Sequence, residues 1–330
     1  MSSLTLSLAS WDYDRMKAIA DGTVKPAGIN LIYLSLPVEE IFWRLTKFQE
    51  FDVSEMSFSS YLIAKDRNLL DYTAIPVFPS RFFRHSCVFV NRHANIERPE
   101  DLRGKRMGVP EYQMTASLWI RGFLEHDYGV KARDLKWFTG GLEEKGREEK
   151  IKLNLPDDIS IEAIGPDQTL NEMLESGEID ALMSARTPSS FGKGSPHITR
   201  LFPNYVEVEK DYYRRSGFFP IMHVIVVRND VLEKHPWVAS NLVAAFEKAK
   251  QAVYDSYNET AALKTTFPWQ VHAHEEAKSL MSEDYWPYGI DKNRDTLEAA
   301  IQYSHEQGLT SRKRCLEELF AASTFGHFKI

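Results

Sequence analysis

The densest group of chemically useful side chains is Arg81-Phe82-Phe83-Arg84-His85, two guanidiniums and an imidazole within five positions. An arginine holds a carboxylate through two parallel hydrogen bonds, and Phe82-Phe83 would suit an aromatic ring. The group is therefore a candidate anion seat, with ion pairing at the surface or between lobes as the competing reading. If a strand starts early here, alternation sends Arg84 and His85 to opposite sides. Ser57, Ser59 and Ser60, in Met56-Ser57-Phe58-Ser59-Ser60-Tyr61, follow an apolar run and face a predicted helix start. Hydroxyls and backbone N–H groups there can gather a small anion, although capping by a single serine would give the same pattern.

Arg186 follows the apolar run Ile179–Met183, where it would serve as an anion contact or a hinge salt bridge. His223 interrupts the apolar stretch 218–228. Histidine titrates near neutrality and can carry a proton; a core histidine is the alternative. Glu111 and Tyr112, after Val109-Pro110, are acid/base or ligand-binding candidates, and Trp11, Asp12 and Tyr13 stand at a comparable strand end. Val271-His272-Ala273-His274-Glu275-Glu276 crowds metal donors together, but not in the His-Glu-x-x-His spacing. Adjacent helical residues also diverge, so an exposed helix start is the better reading and no metal site is assigned. No glycine-rich phosphate loop, Cys-x-x-Cys pair or nucleophile elbow is present.

These residues need elements to position them. Leu4, Leu6 and Leu8 alternate as in a strand, Ile29, Leu31 and Tyr33 suggest another, and 51–56 a third. Between the last two, Val38, Ile41, Phe42, Leu45 and Phe48 recur at helical intervals. This βαβαβ pattern predicts a parallel sheet. Two more strands fall in 73–91. A fresh α/β pattern begins at Arg106, with strands at 135–138, 161–164 and 179–183, helices at 115–126 and 168–175, and a charged run, 143–152, read as a solvated loop. The stretch 218–228 returns the chain to the first lobe, and the rest is helical, starting with a long helix opened by Pro236. The expected lobes are 1–92 plus 220–330, and 93–219, joined by two crossings, with the ligand between them and hinge closure around it.

At 330 residues the chain exceeds one ordinary core. A net charge of -7 argues against general nucleic-acid binding. No stretch approaches the roughly 20 apolar residues of a membrane span. Met1 to Leu8 lacks a basic, apolar signal segment, so a cytoplasmic protein is expected. Cys87 and Cys315 are read as two free buried thiols in a reducing compartment. Homo-oligomerisation is left open.

Leu102-Arg103-Gly104-Lys105-Arg106-Met107-Gly108-Val109 and Gly177-Glu178-Ile179-Asp180-Ala181 resemble type 2 periplasmic binding proteins. The expected fold is accordingly α/β, a two-lobed type 2 periplasmic-binding-protein-like fold with two interlobe crossings and a helical C-terminal part. Asp284-Tyr285-Trp286-Pro287-Tyr288-Gly289-Ile290, Asn293-Arg294-Asp295-Thr296-Leu297 and Tyr303-Ser304-His305-Glu306-Gln307-Gly308-Leu309 are similar to the 4,5-dihydroxyphthalate decarboxylase family. The resemblance runs through nearly the whole chain. It implies loss of carbon dioxide from 4,5-dihydroxyphthalate to give 3,4-dihydroxybenzoate, with a small aromatic carboxylate as the partner molecule. Each carboxylate of that substrate is para to a hydroxyl, so protonating the ring carbon gives a dienone and losing carbon dioxide restores the aromatic ring. No organic cofactor is required in principle; a divalent metal is left open. The site would need a cationic seat, a base near the phenol and an acid near the ring carbon. His223, His85 and Glu111 are the catalytic candidates. Arg81, Arg84, Ser57, Ser59, Arg186, Tyr112, Trp11 and Asp12 are the substrate-binding candidates. A non-catalytic solute-binding protein for an aromatic carboxylate is the alternative, and a different enzyme on the same fold a third reading.

Overall fold

A computed structural model describes residues 3–147, 149 and 151–326. Met1 and Ser2 of the opening stretch, Glu148 and Lys150 of the charged run, and residues 327–330 lie outside the described residues. The strands are β1 (Leu4–Ser10), β2 (Ile29–Ser35), β3 (Val53–Ser57), β4 (Tyr72–Ile75), β5 (Val88–Asn91), β6 (Arg106–Val109), β7 (Lys136–Thr139), β8 (Ile161–Ala163), β9 (Ala181–Met183), β10 (Ile198–Arg200) and β11 (His223–Arg228). They form two sheets, ordered β2-β1-β3-β11-β4 and β10-β5-β9-β6-β7-β8. In the first, β1 runs parallel to β2 and β3, and β11 returns antiparallel between β3 and β4. In the second, β6 is parallel to β7 and β9, while β5 is antiparallel to β9 and β10.

The local reasons are legible in the side chains. Leu6 and Leu8 of β1 are buried, and helix Val38–Phe48 turns Ile41 and Leu45 inward as its spacing requires. All five residues of β3 are buried, as expected for a central strand covered on both faces.

The chain crosses from the first sheet to the second after β4 and returns before β11. The two crossings lie side by side: Met222 N–H donates to Ser80 O at 2.8 Å and Phe82 N–H to Pro220 O at 3.1 Å. Because β5 pairs with β9 and β10, the first crossing ends before Val88. His85 also lies in a short 3-10 turn, His85–Cys87, rather than on a strand. The stretch 189–216, to which the sequence pattern assigns no element, contributes β10 and helix Tyr205–Ser216.

The C-terminal helices do more than extend the first lobe. Helix Arg294–Glu306 packs on helix Thr115–Tyr128 of the second as well as on Phe58–Arg67. The approach is close enough that a Cβ on Gly122 would sit 2.2 Å from the Tyr303 ring. Gln307 links the same helices, donating to Leu118 O at 2.9 Å and accepting from Arg121 Nε at 2.8 Å. The far side of the clamp is therefore braced. Cys87 is buried as expected, but Cys315 is exposed; both thiols are free. Among the described residues, no helix is long and apolar enough to cross a membrane.

Candidate active site

A cavity of about 270 Å³ lies between the sheets, lined by His223, Ser57 and Phe42 beside the first sheet, Glu111 and Arg147 beside the second, and Arg84 from the first crossing. His223 opens β11 and pairs with Ser57, the last residue of β3. Glu55, two residues back on β3, projects from the same face. His223 Nδ1 lies 2.5 Å from Glu55 Oε1, and the Phe42 ring stands edge-on to the imidazole at 4.9 Å.

Glu55 is fully buried and receives three further donors. Tyr13 OH donates to Oε1 at 2.7 Å; Ser10 Oγ and Trp11 N–H each donate to Oε2 at 2.9 Å. Burial pushes the Glu55 carboxyl up, but the bond and charge of His223, then the Tyr13 hydroxyl and Trp11 amide, outweigh it and hold the group below its ordinary value. The Tyr13 hydroxyl moves the other way, raised by burial and by the Glu55 charge, so it remains a donor. A carboxylate at Nδ1 fixes the tautomer in which Nε2 is left for other work. His223 Nε2 has no protein partner among the described residues, and the ring lines the cavity. The sequence reading missed Glu55. Its signal was an acidic residue inside an otherwise uncharged central strand, the same kind of interruption that marked His223.

Arg84 enters the cavity from the first crossing. Its acceptors are weak ones: Met222 Sδ at 3.2 Å, Ala185 O at 3.5 Å and Cys87 Sγ at 3.7 Å. No carboxylate among the described residues lies within ion-pair distance of it, and the guanidinium sits over Phe82 at 4.5 Å. Glu111, almost wholly buried, pairs with Arg147 at 2.5 and 3.0 Å. Arg147 and Ile151 bring part of the charged run into the cavity wall, which corrects its reading as a solvated loop. Arg186 reaches across the mouth to Glu39 at 2.7 Å; both are exposed, so Arg186 is an interlobe salt bridge in this state.

The serine stretch is narrower than an anion cradle. Ser57 and Ser60 line the cavity, and Ser57 Oγ meets Thr115 Oγ1 at 2.9 Å. The first helical amides are already occupied, Phe58 N–H by Met222 O at 2.9 Å and Ser59 N–H by Thr115 Oγ1 at 3.0 Å. Ser59 itself is buried away from the cavity.

Five further candidates also fall outside. Arg81 is buried and donates to Phe219 O at 2.9 Å, Pro287 O at 2.8 Å and the Asn293 side chain. It ties the crossing to the C-terminal Trp286-Pro287-Tyr288-Gly289 stretch, which is thereby a brace rather than a cleft wall. His85 is a core histidine stacked on Phe123 at 4.0 Å, and burial pushes its imidazole down to about 3. Tyr112 is buried beneath Arg121, whose guanidinium lies 3.7 Å from the ring centroid. Trp11 and Asp12 are exposed, and Trp11 contributes its amide, not its indole. Among the described residues, no three His, Cys, Asp or Glu side chains gather as a metal site; His274 is engaged by Tyr285 OH at 3.1 Å and Asn258 Oδ1 at 3.2 Å.

Two α/β lobes, paired crossings and a ligand-sized cleft at the strand ends define a protein of the periplasmic-binding-protein-like class. The periplasmic aliphatic sulphonate binding protein SsuA from Escherichia coli shares this fold with a TM-score of 0.54 and 11% identity, over 98% of this chain and 99% of its own. The alkanesulfonate-binding protein SsuA from Xanthomonas axonopodis pv. citri, bound to MOPS, gives 0.53 at 10% identity, over 98% of each chain. No family model matches the chain. Among curated proteins, 4,5-dihydroxyphthalate decarboxylase of Comamonas testosteroni is 41% identical over 330 residues, all of both chains. The Pseudomonas putida protein of the same description is 44% identical over 218 residues, 66% of this chain and 84% of its own. The chain belongs to the 4,5-dihydroxyphthalate decarboxylase family.

Proposed function

We propose that the protein is a carboxy-lyase converting 4,5-dihydroxyphthalate to 3,4-dihydroxybenzoate and carbon dioxide, with His223 delivering the proton to the ring. The observation that carries this assignment is an imidazole anchored at Nδ1 on a buried carboxylate and open at Nε2 to a cleft holding the Arg84 guanidinium, which no carboxylate among the described residues pairs. In its protonated form His223 donates from Nε2 to the ring carbon bearing the departing carboxylate. The hydroxyl para to that carbon loses its proton and becomes a carbonyl; the C–C bond then breaks, its electron pair restoring the ring. The net change is one proton gained at carbon and one carbon dioxide lost. Glu55 remains anionic below the imidazolium and stabilises it. Arg84 seats the retained carboxylate, since a charge-assisted pair replaces its present weak acceptors. Glu111, on the opposite wall with Arg147, faces the phenols and is the group that takes and returns their proton. His85 has no part in this scheme.

Both thiols being free suits a reducing compartment, and we place the enzyme in the cytoplasm. The test is direct. Purified protein given 4,5-dihydroxyphthalate should yield 3,4-dihydroxybenzoate and carbon dioxide in equal amounts, and His223→Asn should bind the substrate without turnover. Tight binding with no turnover of any hydroxylated aromatic acid would instead make the protein a solute-binding one.

A further inference from the structure

Neither Arg15 nor Trp286 lines the cleft, yet both connect to its histidine. The Arg15 guanidinium contacts two rings, lying 4.2 Å from the Tyr13 centroid and 4.2 Å from that of Trp286. Tyr13 in turn donates to Glu55 Oε1, the oxygen that His223 Nδ1 also meets, and its hydroxyl lies 3.4 Å from that nitrogen. A continuous path therefore runs Trp286–Arg15–Tyr13–Glu55–His223.

The outer end of the path is fastened to both crossings. Arg15 Nε donates to Pro79 O at 2.5 Å and Trp286 Nε1 to Phe78 O at 2.9 Å, both on the first crossing. Trp286 also meets Phe219 of the second crossing edge-on at 5.2 Å. Crossings are the parts of a two-lobed clamp that move least when its lobes close. A histidine referenced to them keeps its aim while the opposite wall arrives.

We propose that Tyr13 and Arg15, held by Trp286, are positioning residues for His223, fixing the Glu55 carboxylate so that the imidazole presents Nε2 to the substrate in the closed cleft. The proposal rests on the decarboxylase reading above and gives the C-terminal Trp-Pro-Tyr-Gly stretch a role in the chemistry without contact with the substrate. A guanidinium held over both rings suits this task, because it ties Tyr13 to Trp286 through cation–π contacts. Lysine, a point charge on a flexible stem, cannot do the same. The other charged or titratable groups around the pair include Asp14, ion-paired to Arg15 at 3.0 Å and accepting from Tyr257 OH at 2.7 Å, with Tyr288, Tyr33 and Asp12; the Tyr33 hydroxyl is raised by burial, with the Glu55 and Asp12 charges adding to it.

The experiment compares Tyr13→Phe, Arg15→Met, Arg15→Lys and Trp286→Leu with wild type and His223→Asn, measuring kcat, KM, the pH profile of kcat and the melting temperature. Tyr13→Phe removes one donor from Glu55 and leaves more of its charge for His223. Its imidazolium should then persist to higher pH, shifting the alkaline limb upward, while the loosened carboxylate lowers kcat about tenfold with KM within about twofold. Arg15→Met and Trp286→Leu should give the same split, and Arg15→Lys should restore little. Unchanged kcat and an unmoved alkaline limb in Tyr13→Phe and Arg15→Met, whatever their melting temperatures, would overturn the relay while wild-type turnover and an inactive His223→Asn left the decarboxylase reading standing. An inactive wild type would overturn both. Tyr13→Phe loses a single oxygen, so the test does not depend on Trp286→Leu folding.

Discussion

Replacing Glu55 with glutamine tests the site at its deepest point. The carboxylate accepts four hydrogen bonds, and one of the donors, Trp11 N–H, is backbone and cannot reverse. The glutamine oxygen must therefore face Trp11 and Ser10, which turns its NH₂ toward Tyr13 and His223. His223 Nδ1 then has to accept, so the proton moves to Nε2 in a neutral ring and the imidazolium has no counter-charge. Two unit charges about 4 Å apart at an effective dielectric near 20 interact by roughly 4 kcal/mol. Losing that stabilisation corresponds to about a thousandfold in the population of the acid, at about 1.4 kcal/mol per decade. Initial rates of 3,4-dihydroxybenzoate formation, followed across roughly pH 5 to 9, should show kcat reduced by two to three orders of magnitude, about 3–4 kcal/mol, with the alkaline limb moved to lower pH. Substrate affinity should change little, since Glu55 does not reach the cavity. A kcat within about threefold of wild type, with the alkaline limb in place, would refute the assignment of His223 as the acid.

Arg84→Met should raise KM by roughly 10- to 100-fold, the worth of about 1.5–3 kcal/mol for a charged hydrogen bond, with the melting temperature unchanged; an unaltered KM would remove Arg84 as the carboxylate seat. Arg81→Leu should do the opposite. It strands the Phe219 carbonyl and the Asn293 side-chain oxygen, costing about 3 kcal/mol or more of stability, and thermal denaturation should show the loss while KM stays put. For His85→Phe the readout is stability against pH. Burial depresses the imidazole to about 3 from 6.5, so below 6.5 the unfolded chain takes up a proton that the folded chain refuses. Stability is intact above 6.5 and lost as pH falls toward 3, at about 1.4 kcal/mol per pH unit. The phenyl ring should flatten that slope in denaturant titrations, and a slope equal to wild type would place the acid sensitivity elsewhere.

The first lobe was legible because its signals are periodic. Alternating Leu4, Leu6 and Leu8 and the helical spacing of Ile41 and Leu45 report burial directly, and β1 and helix Val38–Phe48 follow them. Helix Tyr205–Ser216 left no such trace, since its sequence is mostly charged and only Tyr212 is buried. The site was legible in part for the same reason. His223 stood out as a polar break in an apolar strand; Glu55 carried the same mark, but a strand reading of 51–56 absorbed it. Arg81, Arg84 and His85 could not be sorted from spacing at all. They occupy a crossing and a 3-10 turn, where neither a period of two nor of 3.6 applies, and only tertiary packing decides that Arg84 faces the cleft while Arg81 and His85 face inward.

The division of groups between the lobes bears on how a binding-protein fold can become catalytic. Glu55 and His223 are fixed to the first sheet by adjacent strands, and Glu111 and Arg147 come from the second lobe. In a purely binding cleft both walls need only grip. On the mechanism proposed above, the acid would stand on one wall and the phenol-facing carboxylate on the other, so a ring lying between them would be within reach of both only when the lobes meet. On that mechanism proton delivery to carbon would be confined to the closed state, in which water would be displaced from the departing carboxylate. A hinge of this kind would then be the step that assembles the catalyst.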